Sequence, residues 1–531
     1  MAGLATVLGS GAMTNSIDDA VTADAFLIAG SNTTEAHPVI GAKIKRALGR
    51  GAKMVVIDPR RTELARMADV HLQIKPGSDV AVLNCLLHVI IDQGLLDTDY
   101  IRQHTENFAA TKAMVAEYTP DYVANLAGVE KKDLVEAARI YGCANSAAVF
   151  YTMGITQHRN GTDNVRCIAN LALATGNLGR PGTGINPLRG QNNVQGACDM
   201  GALPDVYPGY QPVGTAAAKF AQLWGTELPD NRGLTVGEML AGSLKAMYII
   251  GENPVLSDPD SNHVVEALKK LDFLVVQDLF LTETAQLADI VLPAVSFAEK
   301  EGTFVNTERR VQKVNKAIQA VGQSRADWRV LTQLANLMGH KWDYSCPQDV
   351  FAEITQVAPA FAGLSYARVE QEGIPWPCPK PDHPGTPILH QNGPARGKGI
   401  FSAIAHKGAQ ETPDSEYPLL LTTGRNLFHY HTGTMSRNAS GLAAQRDTEL
   451  MEISFADAQA LDLVSGSKVK VISRRGEITV PVEVTPRVPQ GVVFMTFHFR
   501  ESAANILTNP VLDPESLTPE LKVAAVRIEK L

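Results

Sequence analysis

Short apolar runs that end in glycine or an acid punctuate the first third of the chain. Ala25-Phe-Leu-Ile-Ala-Gly30 and Lys53-Met-Val-Val-Ile-Asp58 read as buried parallel strands, because strands covered on both faces lose the polar alternation of half-exposed ones. Residues 70–74 and 147–153 add two more. Helical periodicity fills residues 39–50, 62–67, 79–92 and 163–175, the last stopped by Gly176. This β-α-β alternation predicts an α/β fold with a doubly wound parallel sheet and ligands beyond the carboxyl ends of its strands. The residues before Ala25 show no clear element.

The same grammar returns near the middle. Ala246-Met-Tyr-Ile-Ile-Gly251 ends in glycine and Phe273-Leu-Val-Val-Gln-Asp278 in an acid. Asp58 matches Asp278, Thr62 Thr282, Ala65 Ala285, Ala68 Ala288 and Asp69 Asp289, each offset by 220 positions (278 minus 58). Gly30 with Gly251 and Asn32 with Asn253 differ by one more. The pattern is a divergent two-fold repeat of one nucleotide-binding unit. Neither copy carries GxGxxG, which disfavours a plain NAD site. An acid closing the second strand is where a ribose hydroxyl is held.

Between the copies, residues 186–210 form a Gly-, Asn-, Gln- and Pro-rich stretch with one cation, Arg189. Lacking any period, it is expected as ordered irregular backbone, its guanidinium suited to bidentate capture of a carboxylate or phosphate. A helix is predicted from Asp327 to Met338, and residues 343–397 read as Pro-rich and irregular. Residues 467–473 and 476–484 alternate with period two around Arg474-Arg-Gly, a hairpin inside a small C-terminal β-barrel.

Composition narrows the function. A chain of 531 residues exceeds one core, and a net charge of −8 without a basic stripe argues against nucleic acid. No apolar run is long enough to cross a bilayer. Six cysteines without a CxxC pair exclude a cysteine-only zinc or iron–sulfur cassette within these residues and fit a reducing, cytoplasmic compartment.

On the motifs Asn186-Pro-Leu-Arg-Gly-Gln-Asn-Asn-Val-Gln-Gly-Ala-Cys-Asp-Met-Gly, Gly30-Ser-Asn32, Asp58-Pro-Arg60, Lys75-Pro-Gly-Ser-Asp79, Met153-Gly-Ile-Thr-Gln157, Glu301-Gly-Thr-Phe-Val-Asn306 and His429-Tyr-His-Thr-Gly-Thr434, the chain resembles the catalytic subunits of molybdenum- or tungsten-dependent formate dehydrogenases. These are bis-molybdopterin guanine dinucleotide oxidoreductases. The resemblance implies two dinucleotides around one metal. Asn32, Asp58, Arg60, Gly77 and Asp79 would hold one; Gly154, Gln157, Asn253, Ser257, Gln277, Asp278 and Asp327 the other; Gln191 would also bind the cofactor. Arg425, His429, Tyr430, Phe497, Asn505 and Lys522 would close over the pterins, and Arg189 would orient formate. His37 and His158 lack a second ligand at metal-binding spacing, so no metal ligand is assigned and both are expected as core or surface histidines. The domains expected are two dinucleotide-binding α/β units at 1–190 and 191–296, a connecting segment at 297–400, and the barrel at 401–531.

Family members also carry an N-terminal [4Fe–4S] domain and a selenocysteine or cysteine metal ligand. Both are expected upstream of Met1, the gene having been read from the methionine after a selenocysteine codon, so the chain alone is expected to be inactive. Partners implied are formate or carbon dioxide and Fe–S electron-transfer subunits of an NAD-, ferredoxin- or hydrogenase-linked complex. Two other readings are a nitrate reductase-like relative and a non-catalytic scaffold subunit that keeps the fold without the metal.

Overall fold

Five parallel strands, each ending in a loop that carries polar residues, organise the first half of the chain. The structure is a computed structural model that describes every residue except Ser243. The strands Ala25–Ala29, Lys53–Ile57, Val70–Leu72, Ala147–Tyr151 and Gly184–Pro187 form one sheet with the third outermost beside the second, then the first, fourth and fifth. Strand order therefore reverses between Ala25–Ala29 and Ala147–Tyr151, the point where such sheets open a crevice. Both faces are covered. Leu27, Val55 and Val149 pack against one helical layer that includes Asp79–Asp92 and Gly161–Ala174. Phe26, Val56 and Phe150 pack against the other, which includes Pro38–Leu48.

Six strands close a barrel in the order Leu419–Gly424, Val492–Thr496, Met451–Ile453, Glu477–Val484, Lys468–Ile472 and Ala524–Lys530. The expected hairpin pairs Ile472 with Glu477 in antiparallel register. Its alternating residues Val469, Val471, Val480 and Val482 fill the interior. One compact unit combines residues 1–190, 256–262 and 388–531; residues 191–255 and 263–387 form the second.

The second unit holds a three-stranded parallel sheet of Ala246–Ile250, Phe273–Asp278 and Ile290–Pro293. The repeat is visible in its hydrogen bonds. The carboxylate of Asp69 accepts from Met54 N at 2.9 Å and that of Asp289 from Leu274 N at 2.7 Å. The hydroxyl of Thr62 accepts from Ala65 N, and that of Thr282 from Ala285 N. Gly30 N donates to Ile57 O and Gly251 N to Gln277 O, both at 2.9 Å.

Three segments differ from expectation. The start of the chain is helical over Ala2–Leu8. It has no capping side chain and spans two turns, so packing alone sustains it: Leu4 and Leu8 are fully buried. The stretch 186–210 is not wholly irregular, since Val194–Asp199 is a helix entered through Asn193 at φ 62°. There the Gln195 amide donates to Asp199 four residues on at 2.7 Å. The Pro-rich span contains helices Pro347–Val357 and Tyr366–Gln371. Pro347 sits in the first turn, where its missing N–H costs nothing, and Asp349 supplies the capping bonds.

Candidate functional site

The carboxyl edge of the five-stranded sheet gathers most of the residues expected to bind. Gly30 and Gly154, at the ends of neighbouring strands, touch backbone to backbone: Gly154 N donates to Gly30 O at 3.1 Å. A Cβ on Gly154 would stand 2.3 Å from that carbonyl oxygen, and Gly30 adopts φ +53°. Only glycine fits this approach. Thr152 Oγ1 donates to the same carbonyl at 2.6 Å.

Asp58 closes the second strand. Its carboxylate accepts from Arg60 N at 2.8 Å, and burial pushes its pKa up to about 6. Arg60 is buried, donates to Glu452 of the barrel at 2.7 Å through Nε, and lies 4.1 Å from the centre of the Phe494 ring. Arg487 donates to the same glutamate. Arg60, Arg61, Arg66, Arg425, Arg446 and Arg487 line a cleft of about 320 Å³. Glu452 and Arg487 escaped sequence reasoning; Glu452 meets Arg60 across 392 positions (452 minus 60) and Arg487 joins it through the same carboxylate, separations no local pattern signals.

Arg189 follows the fifth strand. Its carbonyl accepts from His37 Nε2 at 2.6 Å, and its Nη2 lies 3.5 Å from Gly11 O. At Gly190 a Cβ would sit 2.8 Å from Arg425 Nη2, so the absence of a side chain lets that guanidinium approach. Burial lowers the pKa of Arg425, which stacks 5.7 Å from the Phe497 ring centre.

Other expected residues complete this unit. Gly77 adopts φ +89° just before helix Asp79–Asp92, and burial raises the pKa of Asp79. His158 Nε2 bonds Gly154 O at 2.9 Å and lies 3.8 Å from the Asp79 carboxylate. Lys522 Nζ donates to Thr423 O at 2.9 Å, with its pKa pushed down to about 7 by burial, while Lys522 N donates to Gln157 O at 3.3 Å. His429 bonds Ser436 Oγ and Arg446 O. Tyr430 N donates to the same serine hydroxyl at 2.9 Å. Asn505 donates to Leu256 O at 2.8 Å and to Ser257 O at 3.0 Å. Buried atoms here with no protein partner among the described residues include Asn32 Nδ2, both side-chain polar atoms of Asn186, Asn426 Nδ2, and the Nδ1 atoms of His37 and His158.

In the second unit, Asn253 accepts from Thr284 N and Oγ1 and donates to Glu283. Gln277 accepts from Tyr248 and donates to Asp327 at 2.7 Å, and Lys300 pairs with the same aspartate. Asp278 accepts from Leu279 N at 2.6 Å, with its pKa raised by burial. The Gln191 carbonyl accepts from Val194 N at 3.4 Å, leading into helix Val194–Asp199. That helix is anchored by Asp199, fully buried, which accepts from the Trp376 indole at 2.7 Å.

Two sequence-family models match this arrangement: molybdopterin oxidoreductase over residues 4–337 and the molybdopterin dinucleotide-binding domain over residues 419–525. The chain belongs to the molybdopterin oxidoreductase family. Within it, the chain is 50% identical over 536 residues to the F420-dependent formate dehydrogenase 1 subunit alpha of Methanococcus maripaludis, an alignment covering 100% of this chain and 80% of that one. It is 38% identical over 544 residues to formate dehydrogenase H of Escherichia coli, covering 100% of this chain and 76% of that one. In fold it is similar to acetylene hydratase from Pelobacter acetylenicus, with a TM-score of 0.75 at 19% identity over 100% of this chain and 80% of that one.

Proposed function

We propose that the chain is the catalytic subunit of a formate dehydrogenase, taking formate to carbon dioxide reversibly. The observation that carries this is Arg189, set at the carboxyl edge of the parallel sheet beside His37 and Arg425. A planar two-donor cation there matches a carboxylate.

The residues present fit a bis-molybdopterin guanine dinucleotide with molybdenum or tungsten. Buried polar atoms without a protein partner, as at Asn32, Asn186 and Asn426, are the kind a bound ligand satisfies. The cleft's six arginines outnumber its three glutamates, Glu35, Glu63 and Glu452, and suit its diphosphate. Asn32, Asp58, Arg60, Gly77 and Asp79 would hold one dinucleotide. Gly154, Gln157, Asn253, Ser257, Gln277, Asp278 and Asp327 would hold the other, and Gln191 would also bind the cofactor. Arg425, His429, Tyr430, Phe497, Asn505 and Lys522 would contact the pterins. When bound, the group supplies the two-electron redox chemistry, and a [4Fe–4S] cluster with Fe–S partner subunits would carry the electrons onward. The chain's own part is to bind the anion through Arg189, orient it, and surround it with buried cationic and neutral groups in place of water.

Six free cysteines fit a reducing compartment, and among the described residues no helix is long and apolar enough to cross a membrane. The test is Arg189→Lys in the intact, metal-loaded enzyme. Losing the bidentate geometry should cut kcat/KM for formate about 100-fold. An unchanged value would refute the anchor. The scaffold alternative would require the purified protein to lack molybdenum, tungsten and guanine nucleotide.

A further inference from the structure

We propose that His37 is a positioning residue that holds Arg189 in place for its anion. The inference rests on Arg189 being the formate anchor and extends that reading to a side chain that the sequence marked only as core or surface.

His37 stands between the short helix Thr33–Ala36 and helix Pro38–Leu48, at φ −140° and ψ 61°. From that corner its ring reaches a residue 152 positions away, with Nε2 2.6 Å from the Arg189 carbonyl oxygen. A carbonyl only accepts, so Nε2 carries the hydrogen and the neutral ring leaves Nδ1 bare. Nδ1 is buried without a partner among the described residues, which leaves the imidazole a single defined task. The charged group that acts on the ring is the Arg425 guanidinium, which with burial disfavours a second proton on it.

Three successive residues are thereby clamped by three different elements. Leu188 N donates to Tyr151 O of the neighbouring strand at 2.9 Å. The Arg189 carbonyl is held by His37, and Gly190 lies against the Arg425 guanidinium. Backbone pinned on both sides of an anion-binding cation fixes its Cα–Cβ direction, so less freedom is lost when the anion arrives. Removing the middle clamp should weaken the grip on the anion without altering the chemistry that follows.

Two variants of the intact holoenzyme test this. His37→Leu removes the donor; His37→Gln keeps an amide N–H at similar reach. In His37→Leu, the formate KM and the inhibition constant for azide, a linear triatomic anion, should rise about tenfold, with kcat changed less than about threefold. His37→Gln should bring both constants back to within about threefold of the wild type. A glutamine variant as weak as leucine, a fall in kcat with KM unchanged, or loss of bound guanine nucleotide from His37→Leu would each overturn the proposal. Arg189→Lys separates the two readings. An unchanged formate KM there removes the anchor itself. A raised KM there beside an unchanged KM in His37→Leu removes only the role of His37.

Discussion

Single buried ionisable residues set how this protein should respond to pH. His498 is fully buried; its Nδ1 donates to the His431 carbonyl and its Nε2 accepts from Asn426 N at 3.0 Å. Both ring nitrogens are used by the neutral form, and burial pushes the pKa down to about 3 from 6.5. Between those values the unfolded chain binds a proton that the folded one refuses. The stabilising contribution is therefore present above pH 6.5 and lost as pH falls toward 3. Melting temperature should drop across that window, and His498→Asn should flatten the slope. Glu449 has the opposite sign. Its pKa is raised from 4.5 to about 7 by burial, so its contribution is present below 4.5 and lost as pH rises through 7. Glu449→Gln should raise the melting temperature at pH 8 by a few degrees and give little gain near pH 5. At Asp199, truncation to alanine would leave the Trp376 indole buried without its acceptor and take one of two acceptors from the Gln195 amide. That should cost about 2–4 kcal/mol in denaturant unfolding.

Elements repeat with their local hydroxyl-to-amide bonds, so equivalent changes should have equivalent effects. Thr62→Ala and Thr282→Ala each remove a hydroxyl that accepts from the amide three residues on. Each should cost about 1 kcal/mol by denaturant titration. A large inequality would mean that the 220-residue correspondence does not extend to energetics. These elements were legible because apolar runs closed by glycine or acid mark buried parallel strands. The helix Asp79–Asp92 and the barrel hairpin were equally plain from period. What escaped was whatever depends on distant partners. Ala2–Leu8 has no cap and is helical only through packing, and Val194–Asp199 hides among glycines and amides. The site divides the same way. Asp58 and Gly154 fall at strand ends that the pattern located, whereas Arg189 follows the strand Gly184–Pro187, which it did not. Glu452 and His37 act through bonds to residues hundreds of positions away in one case and 152 in the other.

At the scale of the whole molecule, the two parallel sheets look alike in sequence and differ in cover. Ala25-Phe-Leu-Ile-Ala29 and Ala246-Met-Tyr-Ile-Ile250 are both continuous apolar runs, yet the first is wholly buried and the second is not. Pleating puts Ile250, Phe273 and Ile290 on one face of the second sheet, because Phe273 pairs beside Ala246, Gln277 beside Ile250, and Val275 beside Ile290. The opposite face, with Ile249, Leu274 and Val276, packs on Val264 and Leu268. On the uncovered side Ile250 is 42% exposed, Phe273 44% and Ile290 44%. Periodicity cannot reveal this, since an apolar run reports that a face is suited to burial and not what buries it. Although the buried Gln277 lies on the same face, exposed apolar side chains grouped in this way attract hydrophobic probes. The chain as given should therefore enhance the fluorescence of anilinonaphthalene sulfonate while fully folded by near-ultraviolet circular dichroism. Phe273→Ser with Ile290→Ser should remove most of that enhancement, whereas Val469→Ala, inside the barrel, should not reduce it. Fluorescence indifferent to the double change would place the apolar surface elsewhere and would mean that this sheet is covered in solution as fully as the first.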